Sequence, residues 1–323
     1  MRIMKNEICD LKMIREITSV FVAVALAFAV SSCSEADDVL PDNYEKVMVK
    51  YRVALDDATV QTRAEGDPDG TAEYGKGAEI DSVLCMVFSL RNSVPVLFSK
   101  DTVKYSGTPV EFNPEFFRNQ DYKIVFIAYD TDAYSVSNET VMTYKNEILA
   151  PEKYDAFTHA GDVKFNETDA EVTLSRPFAL WKFYTADEDV KASASLGSPM
   201  KAASVSATVS TSYNVLNGTF GSPVNMVFKR TFPADDSQTF KDAADNDVRY
   251  TLLSAQYIMP SDNIDAELKI FDDADNCVAQ RTITSIPTVA NTKVNVYGRL
   301  ATSEKTFTVT LDLGDGTAVN KPI

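Results

Sequence analysis

Apolar and polar residues alternate along most of this chain, and the alternation predicts strands nearly throughout. In Lys46–Leu55, the residues Val47, Val49, Tyr51, Val53 and Leu55 fall on one face. Met48, Lys50, Arg52 and Ala54 fall on the other. Ser82–Leu90, Val94–Phe98, Tyr122–Tyr129, Glu171–Leu174 and Leu180–Thr185 follow in the first half. The second half gives Val205–Val209, Val224–Arg230, Arg249–Met259, Ala266–Phe271, Ala279–Thr284, Lys293–Leu300 and Thr306–Leu313. Tyr, Phe, Val and Thr fill these runs, as half-buried pleated strands favour. Asn217-Gly218, Asp272–Asn276 and Asp315-Gly316 punctuate them with residues that accept positive φ or form Asx turns. Helix is scarce. Asn113–Arg118 offers one turn, with Pro114 suited to its first position. Strands at this spacing predict an all-β chain of sandwiches.

A different pattern precedes the strands. The apolar run Ile17–Val30 is shorter than the roughly 20 residues that a membrane-spanning helix needs. Arg2, Lys5, Lys12 and Arg15 precede it, and Val30-Ser31-Ser32-Cys33 follows. Basic, apolar and small-residue regions in that order make a cleaved export signal. Here the signal ends in a lipobox, so Cys33 is the expected site of acylation and 1–32 is the expected lipoprotein signal peptide. The competing reading is an ordinary secretory signal with a chance cysteine. The basic region is long, and initiation at Met13 gives a signal of more usual length. Residues 33–43 are acidic and polar and read as a tether.

Removing 1–32 takes away four basic and three acidic residues, and the net charge moves from −16 to −17. So acidic a surface repels phosphate backbones, which excludes nucleic acid as a partner. The remaining 291 residues are long for a single sandwich and suit two domains. Lys191–Ala203, rich in Ala and Ser around Gly197-Ser198-Pro199, is the expected linker. It divides an N-terminal β-sandwich, 44–190, from a C-terminal one, 204–323. Thr62–Gly77, with its glycines and acids, reads as an exposed loop.

Candidate chemistry is sparse. His159 is the one histidine, and beside Thr158 and Gly161 it reads as a loop residue. No zinc or nucleophile-elbow motif accompanies it. No enzyme activity and no cofactor are expected. Asp272–Asn276 and Asp242–Asp247 gather oxygens but lack the glycine and distal glutamate of a helix-loop-helix calcium site; turn chemistry accounts for them. Cys85 reads as a small buried hydrophobe and Cys277 as a partly exposed thiol, with a disulfide between them as the lesser reading. The chain has 33 aromatic residues. Most, Trp181 included, fall at core-facing strand positions.

Four segments, taken in order, resemble the fimbrillin-like proteins of Bacteroidetes, the subunits of type V pili. They are Tyr154-Asp155-Ala156-Phe157, Leu174-Ser175-Arg176-Pro177-Phe178-Ala179, Thr211–Gly218 and Val289–Gly298. The resemblance implies two tandem transthyretin-like β-sandwich domains, export as a surface-exposed outer-membrane lipoprotein, and assembly into a fimbrium. In that family a trypsin-like protease cuts after an arginine behind the first strand. The strand leaves, and the C-terminal strand of another subunit fills its groove.

Carried onto this chain, the resemblance implies cleavage between Arg63 and Ala64, within Gln61–Gly66. An ordinary loop arginine is the competing reading. Lys305–Leu313 offers Phe307, Val309, Leu311 and Leu313 on one face by strict alternation, and it is the expected donor strand. A permanent core strand of the second domain has the same pattern. Gly314–Ile323 has no match to a donor extension. Ser34-Glu35-Ala36-Asp37-Asp38 is similar to the acidic signal that sends such lipoproteins to the outer leaflet. The expected partners are other pilus subunits, the processing protease and the outer membrane through the lipid anchor. The alternative function is a surface glycan-binding lipoprotein of a nutrient-uptake system, which an exposed aromatic cluster would favour.

Overall fold

The structure, a computed structural model, describes residues 45–56, 79–145, 151–186, 199–231, 237–241, 246–261, 263–301, 307–312 and 318–322. Its strands run in chain order as β1 (Lys46–Met48), β2 (Lys50–Leu55), β3 (Ser82–Arg91), β4 (Val94–Lys104), β5 (Val110–Phe112), β6 (Glu115–Phe117), β7 (Tyr122–Tyr129) and β8 (Tyr134–Val136). They continue as β9 (Val141–Tyr144), β10 (Ala156–Asp162), β11 (Asp169–Leu174), β12 (Ala179–Ala186), β13 (Met200–Ser210), β14 (Ser212–Asn214), β15 (Thr219–Phe220) and β16 (Pro223–Thr231). The last are β17 (Ser237–Lys241), β18 (Asp247–Ile258), β19 (Ile264–Asp272), β20 (Cys277–Ile286), β21 (Lys293–Gly298), β22 (Phe307–Asp312) and β23 (Ala318–Pro322). One 3-10 turn, Pro151–Tyr154, interrupts them. The chain is all-β, as the alternation predicts.

Two pairs of facing sheets each enclose a core. In the first pair, β11-β2-β5 faces β10-β7-β3-β4. Tyr51, Val53, Val83, Phe112, Phe126 and Leu174 share that core. In the second, β17-β18-β12-β21-β22-β23 faces β16-β13-β19-β20, around Trp181, Phe183, Val205, Leu268 and Val296. Sheet membership crosses the halves read from the sequence. β12 lies within 44–190, yet it pairs antiparallel with β18 and parallel with β21. Met200–Ala203, at the end of the expected linker, opens β13, and 191–198 lies outside the described residues.

A third core explains why β3 and β7 read as near-continuous apolar runs: both faces of each are covered. Val83 and Cys85 face the first core, while Leu84 and Met86 face the third, along with Tyr134, Met142, Phe178 and Tyr257. The four resemblance segments meet here. Arg176 donates from Nε to Asp155 Oδ1 at 2.6 Å and from Nη2 to Oδ2 at 3.0 Å. Its guanidinium stands 4.7 Å from the Phe157 ring centroid. Burial lowers the Arg176 pKa, but Asp155, by charge and hydrogen bond, together with Tyr257 and Asp56 more than offsets that, and the net shift is upward. Phe178 meets Tyr213 edge-on at 6.3 Å. Its carbonyl accepts from the Asn291 amide at 2.9 Å, and Leu180 donates to the Thr292 carbonyl at 2.8 Å. β14 pairs with β9, so Thr211–Gly218 is stitched to the first half.

Two local readings are corrected. Asn113–Arg118 is not a helical turn: Glu115–Phe117 is β6, paired with β1 so that Val47 stands opposite Phe116. Pro114 uses its carbonyl to accept from the Val49 amide at 3.4 Å. Long-range pairing outweighs the local fit of proline to a helix start. His159 is not in a loop but in β10, opposite Phe126 of β7. Burial lowers its pKa. The turns follow the sequence reading at Gly218 (φ 71°) and Asp275 (φ 59°), while Asp315-Gly316 lies outside the described residues. Asn92 and Ser93, with φ of 51° and 65°, close the β3–β4 hairpin in the left-handed conformation that a tight two-residue turn requires.

Candidate functional site

The run read from the sequence as the first strand, Lys46–Leu55, forms β1 and β2, and β2 is the centre of a sheet. β2 runs parallel to β11 on one side and antiparallel to β5 on the other. The alternation read from the sequence sets its inner face. Val49, Tyr51, Val53 and Leu55 are buried, at 0, 5, 1 and 8 % exposure. Tyr51 packs at 5.5 Å from Phe126, and Phe112 at 5.7 Å from the same ring. Burial, with the neighbouring Cys85 and Glu167, pushes the Tyr51 phenol up to about 12. Backbone bonds hold both ends: Lys50 donates to the Thr168 carbonyl, and Asp56 to that of Leu174, each at 2.9 Å.

The outer face is basic and its surroundings are acidic. Lys46 Nζ lies 3.1 Å from Glu115 Oε2, and Lys50 Nζ 2.8 Å from Glu111 Oε1. Register sets Arg52 between Glu171 of β11 and Glu111 of β5, and Lys50 opposite Asp169.

This geometry defines what leaving would do. Four inner side chains at about 1.5–3 kcal/mol each place roughly 6–12 kcal/mol of apolar burial in this one strand, as an upper estimate. β5 and β11 are joined in their sheet only through β2 among the described strands. An emptied groove would therefore leave two rows of unpaired backbone groups as well as an open core.

Of the residues singled out from sequence, Cys33, Arg63, Ala64 and Leu313 lie outside the described residues. The signal peptide, the tether and the Thr62–Gly77 loop lie outside them too. Phe307, Val309 and Leu311 fall in β22. That strand is flanked on both sides: Phe307, Val309 and Leu311 stand opposite Gly298, Val296 and Val294 of β21, and Val309 and Leu311 also opposite Lys321 and Val319 of β23.

A cleft of about 490 Å³ lies beside the first strand, lined among others by Lys46, Phe98, Lys100, Asp101, Glu111 and Phe117. Phe98 is the one exposed aromatic among the described residues whose burial is defined, and it meets Phe117 edge-on at 6.1 Å. Trp181 is wholly buried, with its Nε1 donating to the Pro287 carbonyl at 3.1 Å.

The remaining candidates are structural. Asp272 ties its own turn, accepting from the amides of Ala274 (2.9 Å) and Asn276 (2.8 Å) and from Asn276 Nδ2 (3.1 Å). The Asn276 bonds, its side chain first, hold the Asp272 carboxyl below its usual pKa. Among the described residues no group of His, Cys, Asp and Glu is arranged to hold a metal ion. Cys85 is buried and Cys277 exposed, both as free thiols. Burial, then the Asp101 charge, pushes the Cys85 thiol up to about 12.

Two pairs of facing sheets, the first with the buried β2 at the centre of one sheet, define an all-β sandwich protein; the sequence then assigns the family. Residues 41–314 match DUF6562, a family of unknown function, and the chain belongs to it. No curated protein matches the sequence. Among solved structures, the chain is similar to a fimbrial assembly protein from Parabacteroides distasonis, with 9% identity, TM-score 0.43, and coverage of 87% of this chain and 100% of that one. It is similar to the fimbrial anchor protein Mfa2 from Porphyromonas gingivalis, with 10% identity, TM-score 0.42, and coverage of 86% and 100%. A candidate polysaccharide-binding protein from Bacteroides thetaiotaomicron aligns at 12% identity and TM-score 0.46, over 85% and 98%.

Proposed function

We propose that the chain is the precursor of a structural and adhesive pilus subunit, without catalysis. It is exported as a lipoprotein acylated at Cys33 and carried on the outer-membrane surface. Cleavage between Arg63 and Ala64 frees the first strand and the lipid anchor together, and an extended strand of another subunit takes the vacated place. The division into two sandwich domains belongs to the same reading, with β12, within 44–190, contributed to the sheet of the second.

The observation that carries this is the seat of β2. β2, preceded only by β1 among the described strands, is the middle strand of its sheet, buried on one face and paired on both edges. Such a strand is separable by a single cut, and what it leaves accepts only another extended segment. Because β5 and β11 depend on it, exchange is concerted: the donor enters as the first strand departs. Alternation makes Lys305–Leu313 one candidate donor. To serve, its β22 residues must leave both β21 and β23.

The glycan-binding alternative rests on the cleft beside Phe98. Sugar platforms use several exposed rings, and Phe98 is the one exposed ring among the described residues whose burial is defined, which favours the strand-exchange reading. The test is limited trypsin digestion of the folded protein followed by mass spectrometry. First cleavage after Arg63 is the expected result. An intact loop with cuts elsewhere counts against processing.

A further inference from the structure

The residues that flank β2 carry a second message, about which strand is accepted. Along the outer face of β1 and β2, Lys46, Lys50 and Arg52 are basic. The strands on either side present Glu115, Glu111, Asp169 and Glu171. Two pairs are closed, at 3.1 Å and 2.8 Å. Register sets Arg52 between two glutamates and Asp169 opposite Lys50. Besides Lys46, Glu111 and Glu115, the neighbouring cleft is lined by one residue of each charge, Lys100, which donates to Asn138 Oδ1 at 3.2 Å, and Asp101, which accepts from the Thr102 amide at 2.8 Å. When the first strand leaves, its three cations leave with it and the four carboxylates remain, in a chain already acidic overall.

We infer that the groove selects its donor by charge as well as by apolar pattern. The occupant is an extended segment of a different subunit, with apolar residues at the inward positions of Val49, Tyr51, Val53 and Leu55 and Lys or Arg at the outward positions of Lys46, Lys50 and Arg52. This rests on the strand-exchange reading and adds to it the identity code of the partner. Inward side chains give most of the affinity, but any alternating strand has those. Outward charges decide between strands, because like charges set beside one another are rejected.

The chain's own Lys305–Leu313 scores poorly by this code. Its outward set is Thr306, Thr308, Thr310 and Asp312, which brings one more carboxylate and no cation. A copy of this chain is therefore a weak donor to itself.

The test uses the full chain with a site-specific protease sequence inserted at Arg63. The loop is cut, and fluorescent peptides are offered to the folded protein. One peptide is Lys46–Leu55. A second carries Lys46→Glu, Lys50→Glu and Arg52→Glu with the same inner face. A third is Lys305–Leu313. Exposed ion pairs change an equilibrium by up to about fivefold each, so three of them, partly additive, predict roughly tenfold weaker incorporation of the second peptide. The third should behave like the second. Salt near 1 M should erase most of the difference between the first two. Equal incorporation of the basic and acidic peptides, or strong incorporation of the third, overturns the charge code while exchange itself stands. No incorporation of any peptide overturns strand exchange and the code with it.

Discussion

Replacing Asp155 with leucine should strand the Arg176 guanidinium inside the junction between the two sandwiches. The guanidinium is 6% exposed and the carboxylate 2%. They are joined by two near-parallel hydrogen bonds. Removing one partner of such a pair costs about 3–5 kcal/mol, because the survivor stays buried without its counter-charge. The Phe157 face already holds the guanidinium in the native protein, so it does not offset the loss. A loss of about 3 kcal/mol lowers the melting temperature by about 6–12 °C for a body of this size. Arg176→Met should cost a similar amount. The double variant should lose much less than the sum, since Met and Leu leave no unpaired charge. Thermal and urea denaturation of the four proteins, followed by circular dichroism, measure the cycle. If each single variant costs under about 1 kcal/mol, or if the two costs simply add, the pair does not hold the junction as argued.

His159→Gln should flatten stability against pH on the acid side of neutrality. Burial lowers the folded pKa of His159, so the unfolded chain takes up its proton first, and stability falls as pH drops below about 6.5 toward the folded value; urea midpoints across that window measure it. Asp272→Ala should loosen the β19–β20 turn, read as faster amide exchange there. The Asp272 carboxyl is depressed in the fold, so its contribution is present above about pH 3.9 and is lost as pH falls through the folded value. Of Cys85 and Cys277, an aromatic disulfide reagent should modify only Cys277 in the native protein and both after unfolding; rapid native reaction of Cys85 would contradict its burial. Cys33→Ala should abolish incorporation of labelled fatty acid and partition into detergent.

Strands with a whole face in a core were legible because burial imposes their pattern. β7 begins and ends where the alternation places it, at Tyr122 and Tyr129. β10 was not legible. Its Ala-Gly content and lone histidine look like a loop, and only pairing with β7 makes it a strand. β6 was misread because proline's local fit to a helix start competes with a pairing some 70 residues away in sequence. The inner face of the first strand was visible in full. The acidic rim around it was not, because Glu111 and Glu115 on β5 and β6 are brought beside Asp169 and Glu171 on β11, far away in the chain. The usable signal was the acid set between apolar residues in Val110-Glu111-Phe112 and Ala170-Glu171-Val172. It marks outward acids but not what they face.

The most direct test of the central claim is a structure of the protein harvested from filaments on the surface of cells that make it. Strand exchange predicts a chain that begins at Ala64, with the groove between β11 and β5 occupied by an extended segment of a different polypeptide. A surface form that still carries Lys46–Leu55 of its own chain in that groove contradicts it.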